Sequence, residues 1–145
     1  MTEEKISISE LIRINVAKAK EIIDSKSKSI SILNDALQEI NNAIGGKLSF
    51  EYSDVIDDDG DKITNISVSN IESGYKEHLM WYYFHPESIF PAVFNYQGII
   101  NARCDSVEDV LGFVQRIVSN DSFMIKLVRI SEMDNYKMFD DDIPF

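Results

Sequence analysis

The 145-residue chain has little of what marks several common protein classes. Its single cysteine, Cys104, allows no disulfide within the chain, so we expect a reducing compartment. No apolar run is long enough to span a bilayer. The first ten residues, MTEEKISISE, lack the apolar core of a signal peptide. Together these features predict a cytoplasmic protein.

Positive charge is also scarce. Fourteen Lys and Arg residues stand against 25 Asp and Glu residues, which gives a formal net charge of −11. A protein that binds duplex DNA through many phosphates normally presents a basic surface. The acidity therefore argues against phosphate-dominated binding, but it leaves open a local surface on which aromatic side chains stack the bases of a single strand.

Motifs for catalysis and for metal binding are absent as well. The sequence has no nucleophile elbow, phosphate-binding loop, dinucleotide-binding fingerprint or zinc-protease motif. His78, His85 and Cys104 lack the spacing of structural zinc ligands, and Cys104 would be a nucleophile only if a histidine reached it in space. The acidic loop at 57–61 fails the calcium-loop spacing, because apolar residues occupy two ligand positions. We expect no enzyme, no metal and no cofactor, and a solvated hairpin tip at this loop.

The N-terminal third carries a helical pattern. Ser7 and Glu10 fit a capping box at its start. Apolar residues then recur at helical spacing at Leu11, Ile12, Val16, Ala19, Ile22 and Ile23. After the weakly helical stretch 25–29 (SKSKS), the steps of three and four continue through Ile30, Leu33, Leu37, Ile40 and Ile44. We predict two helices or one bent helix, whose apolar seam packs on the protein's own sheet or forms a homodimer.

From Lys47 onward the apolar period changes to two, which predicts β-strands. The Asp59–Gly60 step predicts a hairpin turn between the first two strands. The next strand is apolar on both faces, with Leu79, Trp81 and Tyr83 expected on one face and Met80, Tyr82 and Phe84 on the other. Two shorter strands follow around a turn at 97–98.

The C-terminal region predicts a helix capped at Asp105 or Ser106, with an apolar stripe from Val107 to Val118. The stretch 123–130 (FMIKLVRI) is compatible with a strand or a helix, and its β-branched residues favour a last strand. The predicted fold is α+β: N-terminal helices, an antiparallel meander of about five strands, a C-terminal helix and this strand. We expect residues 1–133 to form one domain and residues 134–145 to form a short, extended acidic tail.

A run of aromatic residues occupies the two-faced strand, at Trp81, Tyr82, Tyr83 and Phe84. Aromatic side chains on a sheet face can stack nucleic acid bases, each worth about 1–3 kcal/mol. Large aromatic residues at alternating positions also form the core of many antiparallel sheets. The sequence leaves both interpretations open, core packing and a base-stacking platform.

The last six residues join three carboxylates to an apolar tripeptide: Asp140, Asp141, Asp142, Ile143, Pro144 and Phe145. This sequence, DDDIPF, resembles letter for letter the C-terminal tip of bacterial single-stranded DNA-binding proteins. In that family the tip docks replication, recombination and repair enzymes. The resemblance implies that the ring and α-carboxylate of Phe145 enter an apolar pocket with a basic rim. It also implies that the aspartates face a basic ridge of the partner.

The resemblance covers the tip alone. That family binds DNA through a five-stranded barrel near the N-terminus and joins it to the tip by a long linker rich in Gly, Pro and Gln. This chain begins with a helical pattern instead, and it has only three prolines and six glycines. One hypothesis is an accessory protein that recruits DNA-processing enzymes and binds single-stranded DNA itself. Another is a phage or mobile-element mimic that occupies those enzymes without binding DNA, and a third is a tail that covers the protein's own ligand surface.

Overall fold

A computed structural model describes residues 6–134. The elements in chain order are α1 (Ile8–Ala43), β1 (Leu48–Ile56), β2 (Lys62–Asn70), β3 (Lys76–His85), β4 (Ile89–Tyr96), β5 (Ile100–Cys104), α2 (Val107–Val118) and α3 (Asp121–Ser131). One helix, five strands and two further helices make an α+β fold, which confirms the predicted class.

The five strands form one antiparallel sheet in sequence order, β1-β2-β3-β4-β5, as the predicted meander requires. The β1–β2 turn is tied by Asp57, whose Oδ1 accepts the backbone N–H groups of Asp59 and Asp61 at 3.0 and 2.8 Å. Gly60 in this turn has a φ of +86°, which favours glycine. Among the described strands β1 and β5 are the edges and do not pair, so the sheet is open rather than a closed barrel.

A β-bulge in β3 corrects one sequence expectation. The register between β2 and β3 shifts so that Ile66 pairs with Met80 while Ser67 pairs with His78. Leu79 is the additional residue, and both Leu79 and Met80 are completely buried. The prediction that Leu79 shares a face with Trp81 and Tyr83 is therefore wrong, because a bulge breaks the strict alternation of side chains.

Helix α1 is continuous over 36 residues. Ser7 caps it as predicted, because its Oγ accepts the backbone N–H of Glu10 at 3.1 Å. The break considered at 25–29 does not occur: Ser25 donates its hydroxyl to the carbonyl of Glu21, and Ser29 is completely buried. The stretch 25–29 thus stays within the helix despite its weak helix propensity.

The last strand predicted at 123–130 is wrong, because these residues lie in α3. The side chain of Asn120 caps this helix by accepting the N–H of Phe123 at 3.0 Å. Phe123, Leu127 and Ile130 are buried at steps of four and three. The burial of residues at this helical spacing outweighs the strand propensity of the β-branched residues between them.

All three helices cover the same face of the sheet, called here the covered face. Phe94 of β4 packs on Phe113 of α2 with ring centroids 5.4 Å apart. Tyr96 packs on Phe123 of α3 at 5.1 Å. The second half of α1 completes the core with Leu33, Leu37 and Ile40. The seam of this half therefore packs on the protein's own body, which is the alternative that was predicted beside a homodimer.

The opposite side of the sheet, called here the open face, has no described helix on it. Its side chains are partly buried or exposed. Between residues 6 and 134, none of the helices is both long enough and apolar enough to cross a membrane.

Candidate functional site

The C-terminal tip, Asp140 to Phe145, lies outside the described residues. The chain approaches it from Asp134, which is fixed to the sheet. Lys47 Nζ lies 2.6 Å from one carboxylate oxygen of Asp134, and Asn70 Nδ2 donates to the other at 3.0 Å. The hydrogen bond from Lys47, followed by that from Asn70, lowers the pKa of Asp134. The tail therefore leaves the body beside the start of β1 and the end of β2.

The structure divides the aromatic run of β3 between the two faces. Tyr82 and Phe84 lie on the covered face and are 6% and 8% exposed. The ring of Tyr82 stacks on Phe94 at 5.3 Å between centroids, and Phe84 meets Phe94 edge-on at 5.7 Å. These two aromatic residues are core residues, as one of the two interpretations held. Their rings are not available for stacking an incoming base.

Trp81 and Tyr83 lie on the open face of the central strand, and both are partly exposed. The strand register sets Trp81 in a line of residues that crosses the whole sheet: Ser53, Asn65, Trp81, Asn95 and Asn101. The amides beside the indole are bonded to one another or to nearby polar groups. Asn95 Nδ2 donates to Asn101 Oδ1 at 2.8 Å, and Asn65 Oδ1 lies 3.1 Å from His78 Nε2.

Positive charge on the open face is held in ion pairs. Lys76 pairs with Glu51, and Arg103 Nε lies 3.4 Å from Asp105. All four of these side chains are more than half exposed, so each pair is weakly stabilising and easily exchanged. The open face offers an aromatic platform and amide hydrogen bonds, with cations that would bind phosphate only after leaving an acidic partner.

A groove of about 600 Å³ lies between the middle of α1 and the β1–β2 hairpin. Lys26 and Phe84 both line this groove, and Lys26 Nζ lies 5.6 Å from the centre of the Phe84 ring. Asp54 accepts the hydroxyl of Thr64 at 2.7 Å and pairs with Lys62 at 3.4 Å. The other residues that line the groove are largely polar or aromatic, and they include Tyr52, Tyr82 and Tyr83.

Tyr52 links this groove to α1, because its hydroxyl hydrogen-bonds to Asn34 Oδ1. Burial, with a smaller effect of Tyr82, raises the pKa of Tyr52 to about 12, so this phenol stays protonated at neutral pH. Sequence reasoning missed the groove because its residues come from distant parts of the chain. Lys26 lies, moreover, in the stretch where a break or a bend of the helix was considered.

The histidines and the cysteine have structural surroundings. Cys104 is completely buried, and this burial, with the nearby Asp109 and Asp105, raises the pKa of its thiol to about 11. His85 Nδ1 accepts the backbone N–H groups of Glu87 and Ser88, both at 3.2 Å, and so orders the β3–β4 turn. A protonated, enclosed thiol is a poor nucleophile.

The hairpin tip brings Asp57, Asp59 and Asp61 together, with one carboxylate oxygen of each within 4.8 Å of the others. One oxygen of Asp57 already accepts the two backbone N–H groups of the turn. The cluster lies at the tip of the β1–β2 hairpin, where the turn was predicted, and exposed acidic groups of this kind are common without an ion, so the cluster alone assigns no site.

Comparison with protein-family models, with curated proteins and with solved structures gives no match. The function must therefore be inferred from the residues of the chain itself. Two features remain as candidates, the tip at 140–145 and the open face with Trp81 and Tyr83. The asparagines of the open face escaped the sequence analysis. Counting outward from a two-residue turn at 97–98 would place Asn95 opposite Ile100, whereas the structure includes Ile99 in the connection and so pairs Asn95 with Asn101.

Proposed function

We propose that this is a non-enzymatic, cytoplasmic accessory protein of DNA replication, recombination or repair. In this proposal, residues 140–145 dock onto the DNA-processing enzymes that bind the tip of single-stranded DNA-binding proteins. The observation that carries the proposal is the letter-for-letter sequence DDDIPF, which ends at Phe145. The proposal requires that Phe145 carries the free α-carboxylate of the protein.

The chemistry of these six residues supports docking. One aromatic ring beside a carboxylate makes a compact two-point anchor for an apolar pocket with a basic rim. Asp140, Asp141 and Asp142 would steer the encounter with a basic partner, and salt would weaken that steering. Pro144 fixes one backbone angle and so lowers the entropy lost on binding.

The body would act as the carrier of this tip. Asp134 is held by Lys47 and Asn70, so the eleven residues that follow begin from a fixed point. An extended segment of this length reaches about 35 Å. The tip could therefore enter a pocket on a partner without any part of the sheet approaching that pocket.

The test is direct binding to a purified enzyme that recognises the tip of a single-stranded DNA-binding protein. A fluorescent DDDIPF peptide is bound to that enzyme, and its displacement is measured with three competitors. These are the intact chain, a chain without Phe145 and a chain with one alanine added after Phe145. We expect both altered chains to compete at least about a hundredfold more weakly, because each loses the ring or moves the carboxylate. A chain with Ser122→Ala, a change eighteen residues before the tip in the sequence, serves as the control. Equal competition by all four chains would refute docking.

A second candidate function is single-stranded DNA binding by the open face, and the exposure of Trp81 and Tyr83 favours it. Trp81 is the only tryptophan of the chain, so its fluorescence reports on this face directly. We expect oligo-dT at low salt to quench it. Trp81→Ala should weaken binding of a labelled oligo-dT about tenfold, whereas Tyr82→Phe on the covered face should leave it unchanged.

The same titration separates recruitment from mimicry. A chain that ends at Lys137 is included, because an acidic tail that competes with DNA would make the truncated chain bind oligo-dT more tightly. If neither chain binds oligo-dT at low salt while the intact chain still displaces the tip peptide, the mimic is favoured. Such a mimic would inhibit a tip-binding enzyme by blocking its contact with single-stranded DNA-binding protein.

A further inference from the structure

The N-terminal half of α1 extends beyond the body of the protein. Every residue from 6 to 24 is exposed, although residues 8–24 are helical. Apolar side chains are included, with Ile8, Ile12 and Ile23 at 76%, 58% and 61% exposure. Most of the stability of a helix in a protein comes from packing of its apolar face, and this half leaves its apolar side chains exposed. An apolar surface on such a helix indicates a binding partner.

The exposed apolar residues form a continuation of the buried seam. Steps of four and three run from Ile12 through Val16 and Ala19 to Ile23, and then through Lys26 and Ile30. The same steps lead to Leu33, Leu37 and Ile40, which pack on the body. One face of α1 is therefore covered by the body in its second half and uncovered in its first half, and the pattern is that of a coiled-coil seam.

We propose that a second copy of this chain covers the exposed seam, with the two N-terminal helix halves antiparallel. A parallel pair would bring the two bodies into the same space, because each body lies on the seam side of its own helix. An antiparallel pair places the bodies at opposite ends. This inference does not depend on the proposed function.

The seam is complementary to itself in the antiparallel orientation. When the two helices are centred between residues 17 and 18, Ile12 faces Ile23 of the second copy, and Val16 faces Ala19. Each of these layers occurs twice by symmetry, and a large residue meets a small one at the centre. At the ends Lys26 faces Ser9, where its ammonium group can remain in water.

The lengths match as well. Residues 9–26 span about 27 Å of helix, and the first completely buried residue of α1, Ser29, lies three positions after them. The partner helix would thus end where the body begins to cover the seam. Charge does not oppose the pairing strongly: residues 8–28 contain five bases and three acids, and Arg13 has an ion-pair partner in Glu10 at 3.7 Å.

The test uses a matched pair of substitutions in the full chain. Ala19→Glu places a carboxylate in the seam, whereas Ala17→Glu places the same group on the opposite side of the same helix. Analytical ultracentrifugation should show a dimer for the unaltered chain and for Ala17→Glu. We expect Ala19→Glu to raise the dimer dissociation constant at least about a hundredfold, because its charge would be buried without a partner. Far-UV circular dichroism checks that each variant is folded.

Cysteine cross-linking tests the orientation. In an antiparallel dimer, a mixture of Val16→Cys and Ala19→Cys chains should form a disulfide between different chains more readily than either variant alone. The buried thiol of Cys104 makes the unaltered chain a control. Stronger cross-linking of the single variants would overturn the antiparallel arrangement. An unaltered chain that stays monomeric at high micromolar concentration would overturn the dimer and leave the seam to another partner.

Discussion

The two faces of the sheet differ although they are built from alternate residues of the same strands. On the covered face, Tyr82 and Phe94 are in ring contact beneath three helices. On the open face, their neighbours Trp81 and Asn95 pair across the same two strands but remain partly exposed. Stability should therefore depend on the covered face, while the open face is available for a ligand. The expectations below test this division.

The largest effect is expected from Phe94→Ala. Phe94 is completely buried and its ring contacts Tyr82, Phe84 and Phe113. Removing the ring should lower the free energy of unfolding by about 3–5 kcal/mol, measured by urea denaturation. Val93→Ala on the open face is the control and should cost about 1 kcal/mol. Equal losses for the two variants would mean that the open face is packed against something as well.

Asn70→Ala should have the next largest effect. Asn70 is 1% exposed, its Nδ2 donates to the carbonyl of Ile130 at 2.9 Å, and its Oδ1 accepts the N–H of Ser73 at 3.0 Å. The alanine leaves these buried groups without partners, which should cost about 2 kcal/mol. Ser69→Ala, one residue earlier on the open face, should change stability by less than about 0.5 kcal/mol. A loss below that value for Asn70→Ala would contradict this role.

Two ion pairs that involve neighbouring residues of β3, Glu77 with Lys126 and Lys76 with Glu51, allow the two faces to be compared by pH. Glu77 lies on the covered face and accepts from Lys126 and from the Tyr75 hydroxyl, both at 2.7 Å. Burial alone would raise the pKa of Glu77, but these hydrogen bonds and the charge of Lys126 outweigh it, so its pKa lies below the usual 4.5. A lowered folded-state pKa stabilises the fold above the unfolded-state value, and that stabilisation is lost as the pH falls through the folded-state value.

Glu77→Gln should therefore lower stability at pH 7 by about 1 kcal/mol and flatten the loss of stability below pH 4.5. Urea denaturation between pH 3 and pH 7 measures both effects. The matched control is Glu51→Gln, which removes the exposed ion pair with Lys76 on the open face and should lower stability at pH 7 by less than about 0.5 kcal/mol. Equal losses of stability for the two variants would contradict the expected difference between the two faces of the sheet.

Local patterns in the sequence were sufficient for much of this fold. The meander, its turns and the stripe of α2 follow from residue spacing and turn chemistry, and each lies where it was predicted. Helix α3 was missed because β-branched residues received more weight than the spacing of Phe123, Leu127 and Ile130. The continuity of α1 was left open because the stretch 25–29 is weakly helical and no local pattern decides between one bent helix and two.

The candidate sites also differ in how much of each can be recognised from the sequence alone. The tip is a linear motif, so its residues can be read directly from the chain. Separating Trp81 and Tyr83 from Tyr82 and Phe84 required knowledge of which face the helices cover. The bulge at Leu79 shows why simple alternation is not enough. The groove beside Lys26 needed the packing of α1 against β1, which no local pattern contains.

The smallest effect on stability is expected from Arg103→Ala on the open face. Its side chain is 71% exposed and, within the described structure, forms an ion pair with Asp105, whose side chain is 64% exposed. The free energy of unfolding should change by less than about 0.5 kcal/mol. If the open face binds oligo-dT, this variant should bind more weakly, and the slope of log affinity against log salt should fall by about one, as expected when one phosphate contact is lost. A stability loss above 1 kcal/mol would show that the open face stabilises the fold, whereas unchanged stability with a reduced salt slope would assign this face to the ligand.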